Sequence, residues 1–158
     1  MTQSSRPVAA SKVEMTEIIM PNDANPLGNV MGGRVMHWID VCAAVAAGRH
    51  SRAPVVTASV DQIDFLRPVP VGGILVLLSS VNYTGRTSME VGVKVWREVR
   101  TTGEREPIAS AYLTFVALDS ETGTPRPVPE LVPETDEEKR RWDEGRRRRE
   151  LRTKQRKS

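Results

Sequence analysis

One proline-free, largely apolar segment, RVMHWIDVCAAVAAGRH (34–50), constrains this 158-residue chain more than any other feature. No proline occurs in it or after it until Pro54, and apolar residues recur at steps of three and four positions, the spacing of one helix face. The segment therefore predicts one long helix that begins at Gly32 and Gly33, and its flanking alanines predict burial on most sides. The predicted apolar face consists of Val35, Ile39, Cys42, Ala43 and Ala46.

After Pro54 the apolar residues alternate with polar ones, which is typical of β-strands. Short turns rich in glycine, proline and polar residues separate the alternating segments. A single helix cannot alternate with every strand, so the pattern indicates an α+β fold: an antiparallel sheet wrapped around one long central helix, not a doubly wound α/β fold. Strands are predicted over 13–20, 55–66, 74–83, 88–99 and 108–118.

Three regions differ in composition. Residues 1–11 are polar and small and predict a flexible N-terminus, residues 12–132 form the predicted domain, and residues 133–158 form a charged helical or disordered tail. Thr135 with Glu138 has the spacing of a capping box at a helix start. The tail helix carries charge on every side and no apolar stripe, so it predicts an exposed helix that frays into disorder.

The basic character of the chain comes from this tail. The whole chain has a net charge of +3, but the last 25 residues hold 11 basic and 7 acidic side chains, so the body carries about −1. A neutral body with few aromatic residues and no recognition motif does not favour nucleic-acid binding. A charge-balanced helix with an arginine run is usually only solvated.

Other features of the sequence argue against a disulfide-bonded protein, a zinc protein and a membrane protein. Cys42 is the only cysteine, so there is no intrachain disulfide, and with two histidines it cannot make the usual four-ligand zinc site. No apolar run is long enough for a membrane span, and the first residues lack a signal-peptide core. The sequence predicts a cytoplasmic protein with no metal and no membrane partner.

Asp40 is the unusual residue of the predicted helix, because its neighbours are apolar or small. Either the helix turns it to solvent or towards Arg34 or His37, or it is a general base or nucleophile. The paired glycines 32–33 either permit a sharp turn or expose helix N-terminal amides to a substrate. Asn25 lies in the preceding loop, and the turn Thr84–Ser88 either holds a phosphate or is only a turn.

Together, the segments MPNDANPLGNVMGGRVMHWIDVCAAVAAGRH, VVTASVDQIDFLRPVPVGG and YTGRTSMEVGVKVW closely resemble the hot-dog fold acyl-CoA thioesterase family, in its bacterial short-chain and cytosolic acyl-CoA hydrolase branch. The resemblance covers residues 12–130 and rests on the ordered motifs DAN, GNVMGG, WID, TASVD and TSMEV. It implies hydrolysis of acyl-CoA to a free acid and CoA, without a cofactor.

The resemblance also assigns roles to residues. It makes Asp40 the catalytic acid of the central helix and Asn25 its loop partner from the other subunit of a dimer. The amides of Gly32 and Gly33 would polarise the thioester carbonyl. The turn residues Gly85, Arg86, Thr87 and Ser88 would lie at the CoA entrance, with Arg67 as a further phosphate contact. It implies self-association as a dimer, commonly a trimer of dimers.

The sequence leaves two other interpretations of the function open. One is a non-catalytic acyl-CoA-binding regulatory module on the same fold, which the presence of both Asp40 and Asn25 disfavours. The other is a hot-dog dehydratase, which needs a catalytic histidine, and His37 does not match that position. The acyl chain length cannot be read from the sequence.

Overall fold

A five-stranded antiparallel sheet with one helix laid across it forms the body of the protein, and the computed structural model describes residues 5–157. The α+β prediction is confirmed. Within residues 5–157 there are two α-helices, α1 (Gly32–Ser51) and α2 (Asp136–Lys157), and two short 3₁₀ helices, Val8–Ser11 and Pro21–Asp23. The strands are β1 (Arg6–Pro7), β2 (Val13–Ile18), β3 (Val55–Phe65), β4 (Ile74–Thr84), β5 (Ser88–Glu98), β6 (Arg105–Ala117) and β7 (Leu131–Val132). The large sheet has the order β2-β4-β5-β6-β3, and β1 pairs with β7 in parallel.

Helix α1 packs its predicted face on the sheet. All five residues of that face are at most 1% exposed. Opposite them, β5 directs Met89, Val91, Val93 and Val95 inward, each also at most 1% exposed, as the alternation predicted. Burying a valine, isoleucine or methionine side chain is worth about 1.5–3 kcal/mol, so this contact contributes substantially to the stability of the body. The helix ends at Arg52, which adopts the left-handed conformation with φ of 56°.

The prediction that α1 is buried on most sides is wrong for its outer face. Met36, Val41 and Val45 are 39–46% exposed there. Strand β3, at the edge of the sheet, likewise exposes Val56 and Val60. An exposed strand edge beside an apolar helix face is a surface that another chain can pair with and cover.

The N-terminus differs from the prediction of a flexible end over residues 1–11. Residues 6–11 are ordered: Arg6 and Pro7 pair with β7, and Val8–Ser11 form a short 3₁₀ helix. Val8 and Ser11 are buried, and the Ser11 hydroxyl accepts a hydrogen bond of 2.9 Å from the Val81 amide. This long-range contact is what orders the segment, and residues 1–4 lie outside the described part of the chain.

The tail also differs from its prediction. Its capping box is present, because the Glu138 amide donates to Thr135 Oγ1 at 3.1 Å and Glu138 Oε1 accepts from the Thr135 amide. However, α2 does not extend into solvent; it packs on the outer face of the sheet, with the Trp142 ring edge-on to Tyr83 at 5.1 Å. Leu151, the other predicted packing residue, is 59% exposed.

A buried ion pair fastens α2 to the sheet. The Arg148 guanidinium donates to both carboxylate oxygens of Glu90, at 2.9 and 2.7 Å, and lies 3.6 Å from the centre of the Tyr112 ring. The Glu90 side chain is only 1% exposed. Farther along the helix, Arg152 pairs with Asp61 of β3 at 2.7 Å. The tail therefore covers the part of the outward face of β5 around Glu90, which alternation alone leaves to solvent.

Candidate active site

The loop that precedes α1 is held by Asn25. The carboxamide Oδ1 of Asn25 accepts hydrogen bonds from the amides of Leu27 at 3.0 Å and Asn29 at 3.1 Å. Asparagine at such a position mimics a backbone turn, and Gly28 completes the loop with a φ of 82°. Because the oxygen is used inside the loop, the Nδ2 amide is the part of Asn25 that can contact a substrate, and it can only donate.

A second set of contacts joins this loop to the helix. Asp23 pairs with Arg34 at 3.0 Å and accepts a hydrogen bond from the Met20 amide at 2.8 Å. Arg34 is therefore paired with Asp23 and not with Asp40. The backbone of Val30 also donates to Val69 at 2.8 Å, which ties the loop to the segment between β3 and β4.

The first turn of α1 offers free backbone donors. Within residues 5–157, nothing accepts a hydrogen bond from the amides of Gly32 or Gly33, and Met31 provides no side-chain cap. A Cβ at position 33 would contact nothing within 4 Å, whereas one at position 32 would lie 3.7 Å from the Phe65 ring. These amides stand at the positive end of the helix dipole, where negative charge on a bound oxygen is stabilised.

Asp40 lies on the partly exposed side of α1, next to β3. Its Oδ1 accepts a hydrogen bond of 2.7 Å from the Thr57 hydroxyl, and no arginine, lysine or histidine in the described part of the chain pairs with it. His37 is exposed, and within residues 5–157 no hydrogen bond or ion pair joins it to Asp40. The sequence pattern assigns no role to Thr57, although it lies in the TASVD motif. Only the packing of β3 against α1 brings Thr57 and Asp40 together.

The candidate CoA residues lie at two different ends of the sheet. The turn Gly85–Ser88 joins β4 to β5 and is closed by a 2.9 Å hydrogen bond from the Gly85 amide to the Ser88 carbonyl. Arg67 lies at the other end, near the loop of Asn25, where it is half exposed and pairs with Glu106 at 3.6 Å. Within one protomer the structure does not bring Arg67 together with Arg86, Thr87 and Ser88.

Two other reactive side chains have structural positions. Cys42 is fully buried, its thiol contacts Ser79 Oγ at 3.3 Å, and burial raises the pKa of the thiol above its usual value, as expected for a packing cysteine. His50 is fully buried with Nε2 2.7 Å from the Pro129 carbonyl, and burial lowers its pKa. In residues 5–157 no cluster of side chains suits a metal ion, and no helix has the length and apolarity to cross a membrane.

A cleft of about 580 Å³ lies on the outer face of the sheet, on the side opposite α1. Lys94, Trp96 and Tyr112 from β5 and β6 line it, with Arg141 of α2 at its side. Asp40 and Thr57 do not reach this cleft, so it is separate from the candidate active site.

Comparison with known proteins shows which family this chain belongs to. The thioesterase superfamily model matches residues 27–104. The uncharacterized acyl-CoA thioester hydrolase YkhA of Bacillus subtilis is 47% identical over 137 residues, covering 87% of this chain and 79% of that protein. The cytosolic acyl coenzyme A thioester hydrolase of Mus musculus is 38% identical over 140 residues, covering 87% of this chain and 36% of the mouse protein.

Solved structures agree with this relationship. A hexameric acyl-CoA thioesterase superposes with a TM-score of 0.91 at 44% identity, covering 96% of this chain and 97% of that one. An acyl-CoA hydrolase from Staphylococcus aureus, in complex with butyryl coenzyme A, coenzyme A and coenzyme A disulfide, gives 0.90 at 39% identity, covering 96% and 92%. Alanine variants of the Staphylococcus aureus enzyme at one aspartate, one asparagine and one threonine also superpose, with TM-scores of 0.90, 0.87 and 0.84.

Proposed function

The chain belongs to the hot-dog acyl-CoA thioester hydrolases of the thioesterase superfamily, and from that premise we propose how its residues hydrolyse an acyl-CoA to a carboxylic acid and CoA. Asp40 is the general base or nucleophile, Thr57 positions its carboxylate, and Asn25 donates a hydrogen bond that orients the water or the thioester. The amides of Gly32 and Gly33 bind the carbonyl oxygen. Neither a metal nor another cofactor enters the reaction.

The observation that carries this proposal is the carboxylate of Asp40. It is partly exposed, is held at 2.7 Å by a neutral hydroxyl, and has no cationic partner in residues 5–157 to neutralise it. The Staphylococcus aureus variants support the choice. The altered asparagine there precedes the altered aspartate by 15 residues and the altered threonine follows it by 17, the separations of Asn25 and Thr57 from Asp40.

The chemical steps follow from this arrangement. Thr57 uses Oδ1 of Asp40, so Oδ2 takes a proton from water while the water oxygen attacks the thioester carbonyl carbon. The carbonyl oxygen becomes negative beside the helix N-terminus, where one well-placed donor is commonly worth about 3 kcal/mol. The C–S bond then breaks, and the CoA sulfur receives the proton from Asp40. In the nucleophilic route, Asp40 attacks the carbonyl carbon, the C–S bond breaks and the CoA sulfur takes a proton from water. The hydroxide that remains hydrolyses the mixed anhydride, which releases the carboxylic acid and restores the Asp40 carboxylate.

Within one protomer the two halves of this machinery are too far apart. Asp40 follows Gly32 by eight residues, which at 1.5 Å per residue is about 12 Å along the helix. A thioester carbonyl cannot span that distance, so we assign Asn25, Gly32 and Gly33 to one subunit of a site and Asp40 with Thr57 to another. The exposed apolar residues of β3 and α1 provide the contact surface.

This shared site requires at least a dimer, and we propose a trimer of dimers in the cytoplasm. The hexameric relative and the cytosolic mouse relative support these two statements. The names of the Bacillus subtilis and mouse relatives, both acyl-CoA thioester hydrolases, favour an enzyme over the alternative of a non-catalytic acyl-CoA-binding module. Sedimentation should show no monomer at the concentration of the assay.

The decisive experiment is Asp40→Asn, assayed against a series of acyl-CoA chain lengths. We expect turnover to fall by at least about 1,000-fold, because the amide can neither accept the proton nor attack, while CoA affinity stays unchanged. Undiminished turnover would overturn the assignment. After a single turnover in ¹⁸O-labelled water, ¹⁸O in Asp40 identifies the nucleophilic route, because general-base catalysis places the label only in the released acid.

A further inference from the structure

Helix α2 places an arginine on the turn between β4 and β5. A Cβ at Gly85 would lie 2.7 Å from Cζ of Arg149 and 2.8 Å from Oγ of Ser88. The guanidinium and the hydroxyl therefore both lie against Gly85, and a side chain at this position would require one of them to move. The tail, which the family resemblance does not cover, thus contacts the turn that the resemblance assigns to CoA.

The cations at this turn have no acidic partners. In residues 5–157, neither Arg149, Lys154 nor Arg86 makes an ion pair, and Arg86 and Arg149 are exposed. Arg146 is different, because Asp143 and Glu150 neutralise it at 2.8 Å each. A pocket of about 390 Å³ opens here, lined by Tyr83, Arg146, Arg149, Glu150, Thr153 and Lys154.

We propose that Arg149, together with Arg86 and Lys154, binds the phosphate groups of the CoA nucleotide, so that α2 is part of the substrate-binding surface. This inference rests on the proposed acyl-CoA hydrolysis. Guanidinium groups suit phosphate because they donate several hydrogen bonds in one plane, and Ser88 adds a neutral donor beside them. The surplus of unpaired positive charge at one turn matches a ligand with several negative charges.

The position of the turn determines which site it serves. In the pairing of β4 with β5, Thr84 faces Met89 at one end of the sheet and Ile74 faces Glu98 at the other. The loop of Asn25 follows Ile18, which pairs with Ile74, so it lies at the end far from Gly85. An eleven-residue strand spans about 36 Å, so the phosphate pocket of one protomer serves a thioester bound at the loop of another.

The test compares Arg149→Ala with Arg147→Ala in the full-length oligomer. Both remove one exposed positive charge from α2, but Arg147 pairs with Asp143 inside the helix and does not line the pocket. We expect Arg149→Ala to raise KM for acyl-CoA about three- to fivefold at low salt with kcat unchanged, and the difference to shrink as salt is added. The same acyl group on pantetheine, which lacks the nucleotide, should show no change.

A second variant guards against a general effect of lost charge. Gly85→Ala keeps every charge, but its methyl group displaces the Arg149 guanidinium, so KM for acyl-CoA should rise as well. Equal KM values for Arg149→Ala and Arg147→Ala, or the same rise with the pantetheine thioester, would overturn the phosphate assignment. A wild-type protein that hydrolyses no acyl-CoA would instead refute the proposed function, so the two failures are distinguishable.

Discussion

The ion pair between Arg148 and Glu90 leads to a quantitative prediction about the tail. Arg148→Ala leaves the Glu90 carboxylate, with 1% of its side chain exposed, without its cation. Removing one partner of a buried pair costs about 3–5 kcal/mol, because the other charge remains in a poorly solvated place. The mutation also removes the contact of the guanidinium with Tyr112. The change should therefore destabilise the protein far more than a typical surface substitution.

Two features of the structure place the expected value at the low end of that range. Asn82 still donates to Oε1 of Glu90 at 3.2 Å, and α2 is an outer helix that can separate from the sheet and admit water. We therefore expect a loss of about 3 kcal/mol in the free energy of unfolding. For a chain of this size that lowers Tm by about 6–12 °C.

The assay is urea unfolding at fixed protein concentration, with hydrogen exchange along α2 to detect separation of the helix. Arg147→Ala is the matched control, since its pair with Asp143 is exposed, and it should change stability very little. The double variant Glu90→Gln with Arg148→Met removes the stranded charge and should recover most of the loss. Equal stability of the two arginine variants would refute the reasoning, because the carboxylate would then not depend on its cation.

Three further predictions follow from single contacts. Thr57→Val should lower kcat about tenfold with little change in KM, because it removes the hydrogen bond to Asp40, while Thr57→Ser should retain activity; equal rates for Val and Ser would exclude the positioning role. His50 should make stability depend on pH: burial lowers its pKa in the folded state, so its contribution is complete above the unfolded value of about 6.5 and is lost as the pH falls through the folded value. His50→Gln should flatten the unfolding free energy between pH 7 and pH 5, and a slope that the variant leaves unchanged would assign the effect to other groups. Val60→Lys places a charge on the exposed edge strand β3, so sedimentation should show smaller species and hydrolysis should decline with them; intact oligomers with full activity would move the interface elsewhere.

Features set by neighbouring residues in the chain could be predicted. The helix over 32–51, the antiparallel strands after Pro54 and the capping box at Thr135 depend on local periodicity and hydrogen bonding, and all are present. The ordered motifs around Asn25, Gly32 and Asp40 were enough to indicate the family. These signals come from residues that are close together in the chain, so they can be recognised from the amino-acid sequence alone.

What required the tertiary structure are the contacts between distant segments. The sequence predicts that residues 6–11 are flexible. In the structure, however, Ser11 accepts a hydrogen bond from the amide of Val81, which lies 70 positions away in the chain. The hydroxyl of Thr57 reaches Asp40 only because β3 lies beside α1. Nothing in the local sequence distinguishes such a residue from any other threonine of an alternating strand.

The tail shows most clearly which features depend on local sequence and which depend on tertiary contacts. The sequence alone indicated a positively charged tail over residues 133–158 with a helix start at the capping box of Thr135, because capping and side-chain spacing act within one helical turn. It left open whether the rest of the tail is helical or disordered, and the structure shows a helix over Asp136–Lys157. Only the fold decided that one face of this helix packs on the sheet, since the acid that binds Arg148 lies 58 positions earlier on the outward face of β5. An outward-facing charge on an alternating strand looks the same whether water or another helix covers it, and that choice is made by tertiary packing.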